Sequence, residues 1–247
     1  MGKGATKGAT KGATVGATRV ETAIGAMGAT TDRRFTAYKW LTGLGAAGVQ
    51  SLIYFGVGHL TFARSTELLR LRLDDAIPFW PWTSWLYLPI YAGIFVIALS
   101  TFRTRQHFDR ALWGVALIMT LGLAGHLLVR AEYPRPVLRP PFANVSEVFL
   151  AWVQSIDRPG NVFPSLHVAH TSSLALILHH EQRLLGRWVI GLALILAAST
   201  LTTKQHFILD VVSGFALAGL ARWLVLRGVA APAAAPSTSP APSTSFS

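Results

Sequence analysis

A chain of 247 residues that is 51% hydrophobic and only 13% charged falls well short of the roughly 25% charged residues usual in soluble domains, which excludes an ordinary soluble fold and points to a membrane protein. A net charge of +11 would suit a nucleic-acid binder, but the basic residues sit between apolar runs, so membrane topology accounts for them and no nucleic-acid partner is expected. The absence of cysteine excludes disulfides, thiolate metal sites and cysteine nucleophiles.

In chain order, residues 1–35 repeat Gly-Ala-Thr around Lys7, Lys11 and Arg19, a composition too small-sided and polar to bury a core, so a disordered tail is expected. It contains no apolar run before a cleavage site and does not read as a secretory signal. Residues 36–228 are expected to form one membrane domain. Uncharged stretches at 40–63, 76–102, 111–129, 159–180 and 188–203 supply five spans, because a charge at mid-bilayer costs roughly 2.5–3.5 kcal/mol. A sixth, 207–226, contains Asp210 near its start and Arg222 near its end, where the arginine head can snorkel to water. Residues 229–247, nearly all Pro, Ala, Ser and Thr, read as a second disordered tail. The predicted fold is all-α, a polytopic bundle of about six transmembrane helices.

Lys and Arg number 14 on the side holding both tails and eight on the other. The excess stays cytoplasmic, so both termini are expected there, with the loops carrying Arg135 and Lys204 outside. Span four then begins outside with Asn161-Val-Phe-Pro-Ser-Leu-His-Val-Ala-His170, and span five returns to the same face at Thr202-Thr-Lys-Gln-His206. Two histidine clusters meet at one membrane surface. His206 and Asp210, four residues apart at the head of span six, are expected on one helical face, where the aspartate fixes one imidazole nitrogen and leaves the other as base or nucleophile. Pro164 and Ser165 suit a helix start whose amides face an anion.

Phe163-Pro-Ser-Leu-His-Val-Ala169 and Ser199-Thr-Leu-Thr-Thr-Lys-Gln-His-Phe-Ile-Leu-Asp210 resemble the second and third motifs of the type 2 phosphatidic acid phosphatase superfamily, with the flavour of its inositol phosphorylceramide synthase-like branch. Asp75-Ala-Ile-Pro-Phe-Trp-Pro-Trp82, with Tyr87 and Tyr91, is similar to the first outer loop of that branch, and the likeness spans about residues 70–220. It implies a lipid phosphatase or phosphotransferase, without cofactor or metal, acting on a lipid phosphate or phospholipid at the non-cytoplasmic face. His206 would attack phosphorus to form a phosphohistidine, Asp210 would orient it, and His167 would protonate the leaving alkoxide. Ser165 and Ser199 would serve the phosphate. The chain departs from the motifs: Leu166 stands for a glycine, Thr200 for an arginine, and the first-motif lysine is missing opposite Arg135-Pro136. Cations are still needed around the transferring group, and Lys204, Arg130, Arg135 and Arg139 are the candidates, with Lys204 standing in for the arginine.

Two other chemistries compete with this one. His167, His170, His206 and Asp210 could ligate zinc in a metal-dependent hydrolase, but Pro164-Ser165 and Lys204 beside them favour an anion. A transporter would need ionisable groups deep in the bundle, and spans two and five hold no charged side chain or histidine. His59, His126, His179 and His180 read as packed residues, His170 as a partner of His167 or a structural residue, and Phe79-Trp-Pro-Trp82 with Trp85 as an interfacial aromatic belt.

Overall fold

The computed structural model describes residues 33–62, 69–129, 131, 133–157 and 159–227. The expected tails at 1–32 and 228–247, and Arg130, lie outside the described residues. The described chain is all-helical, without strands. In order come α1 (Arg33–Phe62), the short α2 (Arg72–Ala76), a 3₁₀ turn (Pro81–Thr83), α3 (Ser84–Thr101), α4 (Arg105–Leu128), α5 (Val145–Ile156), α6 (Leu166–Glu181), α7 (Arg183–Thr202) and α8 (Ile208–Leu226). The chain divides into two units within α1, after Thr42. In the first, Lys39 Nζ lies 5.6 Å from the Phe35 ring centre. The second, from Gly43 on, carries the site.

Among the described residues, five helices are long and apolar enough to cross a membrane: Arg33–Thr61, Pro81–Thr101, Arg105–Leu128, Arg183–Thr202 and Ile208–Leu226. Their large apolar side chains point outward, as at Leu52, Trp113, Trp188 and Trp223, a surface that only lipid or a partner makes favourable. The fourth expected span differs. Its first residues, from Pro159 to Ser165, are loop, and helix begins only at Leu166, giving α6 16 residues against the roughly 20 that a solitary span needs. The reason is local: Ser165 is the N-cap, its Oγ accepting from Val168 N–H at 3.4 Å. Because α6 is packed against α3, α4, α7 and α8, it is buried nearly all round, polar residues included, and meets little lipid.

Helix α5 was not foreseen. Asn144 caps it by accepting from Glu147 N–H at 3.1 Å, and the Glu147 carboxylate receives the Ala143 N–H at 2.9 Å, a reciprocal cap. Leu150 and Val153 turn inward, and Phe149 stacks on Trp85 at 4.1 Å, so part of the aromatic belt is a clamp between α5 and α3.

Close approach of α8 to the start of α6 depends on Gly214, where a Cβ would lie 2.7 Å from the Ser165 carbonyl oxygen. That neighbour is backbone and has no rotamer to move. Gly214→Ala is therefore expected to lower stability by about 1–3 kcal/mol and to shift Ser165. A thermal-unfolding comparison in detergent, with Gly219→Ala as the control because its Cβ would meet nothing within 4 Å, checks it.

Candidate active site

The third-motif loop is shaped by how α7 ends. Lys204 adopts the left-handed conformation, φ 55°. Its N–H donates to Leu201 O at 3.2 Å and the Gln205 N–H to Thr200 O at 2.9 Å, the paired bonds of a Schellman helix end. Thr200 O also receives the His206 N–H at 3.1 Å. Thr200 thus acts through its carbonyl, fixing the backbone of the histidine six residues on. A lysine in the left-handed region costs about 1–2 kcal/mol relative to a helical conformation, and its ammonium is held in place by Ile77 O at 2.6 Å and Asp74 O at 3.0 Å. Partial burial lowers the Lys204 pKa, with the Asp74 carboxylate pulling it back up.

His206 does not share a helical face with Asp210 as expected. It lies in the turn before α8, and Asp210, in the first turn of that helix, reaches back across the helix start. Its Oδ2 accepts from Phe207 N–H at 2.9 Å and stands 3.4 Å from His206 Nδ1. The second contact is at the long limit of a hydrogen bond, of the kind that tightens when substrate binds. Both groups are buried. Asp210 O accepts from Ser165 N–H at 3.0 Å, so one backbone bond ties the two motifs together.

His167, in the first turn of α6, faces this pair with ring centres 5.9 Å apart. Its Nε2 is 2.9 Å from Tyr87 Oη, and the Tyr54 and Tyr91 rings meet it edge-on. Among the described residues, buried atoms around the site without a hydrogen-bond partner include His167 Nδ1, Asp210 Oδ1, Arg135 Nε, His170 Nε2 and both amide atoms of Gln205. Buried polar groups are rarely left so. Leu166 is accommodated in place of the motif glycine because α4 offers Gly122, whose added Cβ would fall 2.2 Å from Leu166 Cδ2. His126, also on α4, is buried with Nε2 3.0 Å from Pro164 O, the structural role expected of it.

The other sequence-named residues divide. Arg135 comes to the site, but its guanidinium donates to the Asp157 carbonyl and lies 3.7 Å from the Asp157 carboxylate. Ser199 Oγ is turned into its own helix, donating to Leu196 O at 2.7 Å. Lys204, as above, grips the backbone of residues 74 and 77. Arg139 is exposed, and Arg130 is outside the described residues.

Three residues were missed. Asp157 accepts from Tyr54 Oη at 2.8 Å and so joins Arg135 to α1. Asp74 is 2% exposed, and its carboxylate accepts from Ile208 N–H at 2.8 Å and Leu71 N–H at 2.7 Å. It therefore caps α8 from the short helix α2, far away in sequence. Burial, then the Asp74 and Asp210 carboxylates, push the Tyr133 hydroxyl pKa up, which keeps it protonated beside the site. Asp74 and Asp157 are acids next to apolar spans, a signal that sequence alone offered, but their partners lie 134 and 103 positions away.

The Lys204 geometry gives a prediction. Lys204→Ala, which loses the ammonium and keeps a Cβ in the left-handed region, is expected to lower the melting temperature, and more than Lys204→Gly does, since glycine tolerates that backbone. Wild-type stability in both variants with turnover lost in both would instead place the ammonium on substrate.

No curated protein and no solved structure matches the chain. A family model of the PAP2 superfamily matches residues 60–224, which include Asp74, Arg135, Asp157, Ser165, His167, His206 and Asp210. With more than half of its length matched, and the two motif histidines brought face to face, the chain belongs to the PAP2 superfamily, whose members are phosphatases and phosphotransferases.

Proposed function

We propose that the protein is an integral-membrane lipid phosphatase or phosphotransferase working through a phosphohistidine. The observation that carries this is the convergence of the His206–Asp210 pair on His167, with a backbone bond between the two motifs. Since Nδ1 of His206 faces Asp210, Nε2 is the atom that attacks phosphorus. The new P–N bond forms as the P–O bond to the lipid alcohol breaks, and Asp210 balances the imidazolium charge.

His167 supplies the proton to the departing oxygen. In its protonated form Nε2–H donates to Tyr87 Oη, which leaves Nδ1–H, the atom without a protein partner, for the leaving group. In the second half-reaction neutral Nδ1 takes a proton from water or from an acceptor hydroxyl as that oxygen displaces His206 from phosphorus. Ser165 and Arg135 hold the phosphoryl oxygens, together with the Leu166 and His167 amides of α6, which precede the cap bond of Val168 N–H and the helix's first bond from Ala169 N–H to Ser165 O. Lys204 and Thr200 act one step back, by shaping the loop that carries His206.

The motif resemblance to the inositol phosphorylceramide synthase-like branch favours transfer over hydrolysis. Incubating purified protein with a panel of lipid phosphates and phosphoinositides, with and without a long-chain hydroxyl acceptor, and analysing the products separates the two. Release of inorganic phosphate regardless of acceptor identifies a phosphatase. Absence of turnover on every lipid phosphate and phosphoinositide refutes the proposal.

The site is proposed to face away from the cytoplasm. With no native cysteine, single cysteines at Ser146 and Ser237 can be treated with an impermeant reagent in intact cells. Labelling at 146 alone is expected, and labelling at 237 alone would invert the topology.

A further inference from the structure

From Gly43 onward, α1 meets the rest of its unit at two levels. Far from the site, a Cβ on Gly43 would fall 2.5 Å from Leu99 Cδ2. At the site end, Tyr54 Oη donates to Asp157 at 2.8 Å, Thr61 Oγ1 donates to Asn161 at 2.9 Å, and Asn161 donates to Tyr54 O at 2.7 Å. Between these levels lies a cavity of about 480 Å³ walled by α1, α3, α4, α5 and α6, within the roughly 300–1,000 Å³ of small-molecule sites.

Its polarity is graded. At the site end stand His167, Asp157, Tyr54, Tyr87 and Tyr91; at the other, Leu99, Phe102 and Phe108. Those last three are at most 3% exposed, and the two phenylalanine rings meet edge-on at 6.2 Å, which makes a floor. From Tyr87 to Phe102 the cavity follows fifteen residues of chain, about 22 Å at helical rise, more than the half-thickness of a hydrocarbon core about 30 Å across. A volume of about 480 Å³ along that length leaves room for an extended hydrocarbon chain in contact with the lining side chains. Small side chains keep it open, Gly43, Ala46 and Ala47 on α1 and Ala98 on α3. Ala92 and Trp152 line it while remaining exposed, so it also opens sideways toward lipid.

The cavity reaches His167 but not His206. On the phosphohistidine reading, which this inference rests on for the role of His167, whatever fills the cavity is attached to the oxygen that His167 protonates. We propose that this cavity takes one long, unbranched hydrocarbon tail of the leaving alcohol, and that Leu99, Phe102 and Phe108 set the longest tail accepted. Any second tail stays in the bilayer, and an acceptor alcohol takes the place beside His167 that the leaving alcohol vacates, in line with the P–N bond to His206.

The test uses the full chain in detergent and a series of straight-chain alkyl phosphates from hexyl to eicosyl. kcat/KM is expected to rise to an optimum and then fall by about ten-fold per added methylene once the tail end meets the floor. Leu99→Ala should move the optimum to longer tails and Ala47→Phe to shorter ones. A flat profile, or an optimum that neither variant moves, overturns the proposal, as does a methyl-branched isoprenoid phosphate turned over as well as the best straight chain. An alkyl phosphate carrying a diazirine at its tail end gives a readout independent of turnover. Adducts are expected between Leu99 and Phe108, and adducts confined to outward residues such as Val96 or Trp113 refute the cavity as the tail site. If no phosphate ester is turned over but the floor is labelled, the phosphohistidine reading falls while the tail site stands.

Discussion

His206→Ala is expected to lose turnover of every phosphate ester, by on the order of 10⁵-fold, and to yield no acid-labile phosphoprotein when substrate is added. The size of the effect follows from the geometry. His206 Nε2 is the one nucleophilic atom that the Asp210 contact leaves free, and with no cysteine in the chain no thiolate can substitute. Asp210→Asn is expected to lie between this variant and wild type. One oxygen, Oδ2, serves both Phe207 N–H and His206 Nδ1, so an asparagine with its carbonyl in that place keeps both contacts and the helix cap. What it loses is the negative charge opposite the imidazolium, and the loss should therefore fall on kcat with KM little changed. Rapid-quench measurement of the phosphoprotein separates the outcomes. A His206→Ala enzyme with near-normal turnover on any ester would remove His206 from the chemistry.

The spans were legible because hydrocarbon imposes a coarse rule, the exclusion of charge over about 20 residues. Five of the six expected segments became helices of spanning length. α6 did not, because its surroundings are protein; burial by α3, α4, α7 and α8 relaxes the length and hydropathy requirement that sequence windows detect. α5 was hidden beside a segment rich in Arg and Pro, where twelve amphipathic residues carry no membrane signal.

The two histidines and Asp210 were legible from spacing, since they sit close together along the chain within each motif. The cationic surroundings were not. Lys204 looked like a phosphate ligand because it lies two residues from His206, yet a side chain in the left-handed turn points to α2, and only the fold reveals the carbonyls of Asp74 and Ile77 waiting there. Arg135 was named, but its tether, Asp157, lies 22 positions on, and no periodicity links them. Polar networks closed by segments from distant parts of the chain follow from tertiary geometry, so pattern reading finds the motif side chains and misses the partners that hold them.

His167→Ala is expected to lower kcat on alkyl phosphates by about 100- to 10,000-fold, the usual contribution of a general acid, while nitrophenyl phosphate, whose leaving group departs as a stable anion, loses far less. The contrast between the two esters is the diagnostic. Tyr87→Phe should show the same sign at smaller amplitude, because the phenol is removed from Nε2 at 2.9 Å while the Tyr54 and Tyr91 rings still confine the imidazole. Tyr87 is a positioning residue on this account, so its loss should depress kcat on alkyl esters more than it raises KM. If both esters respond equally to His167→Ala, the proton does not come from His167. The histidine would then be a hydrogen-bond donor to the phosphate like Ser165, and the tail-bearing oxygen would draw its proton from another group at that end of the cavity.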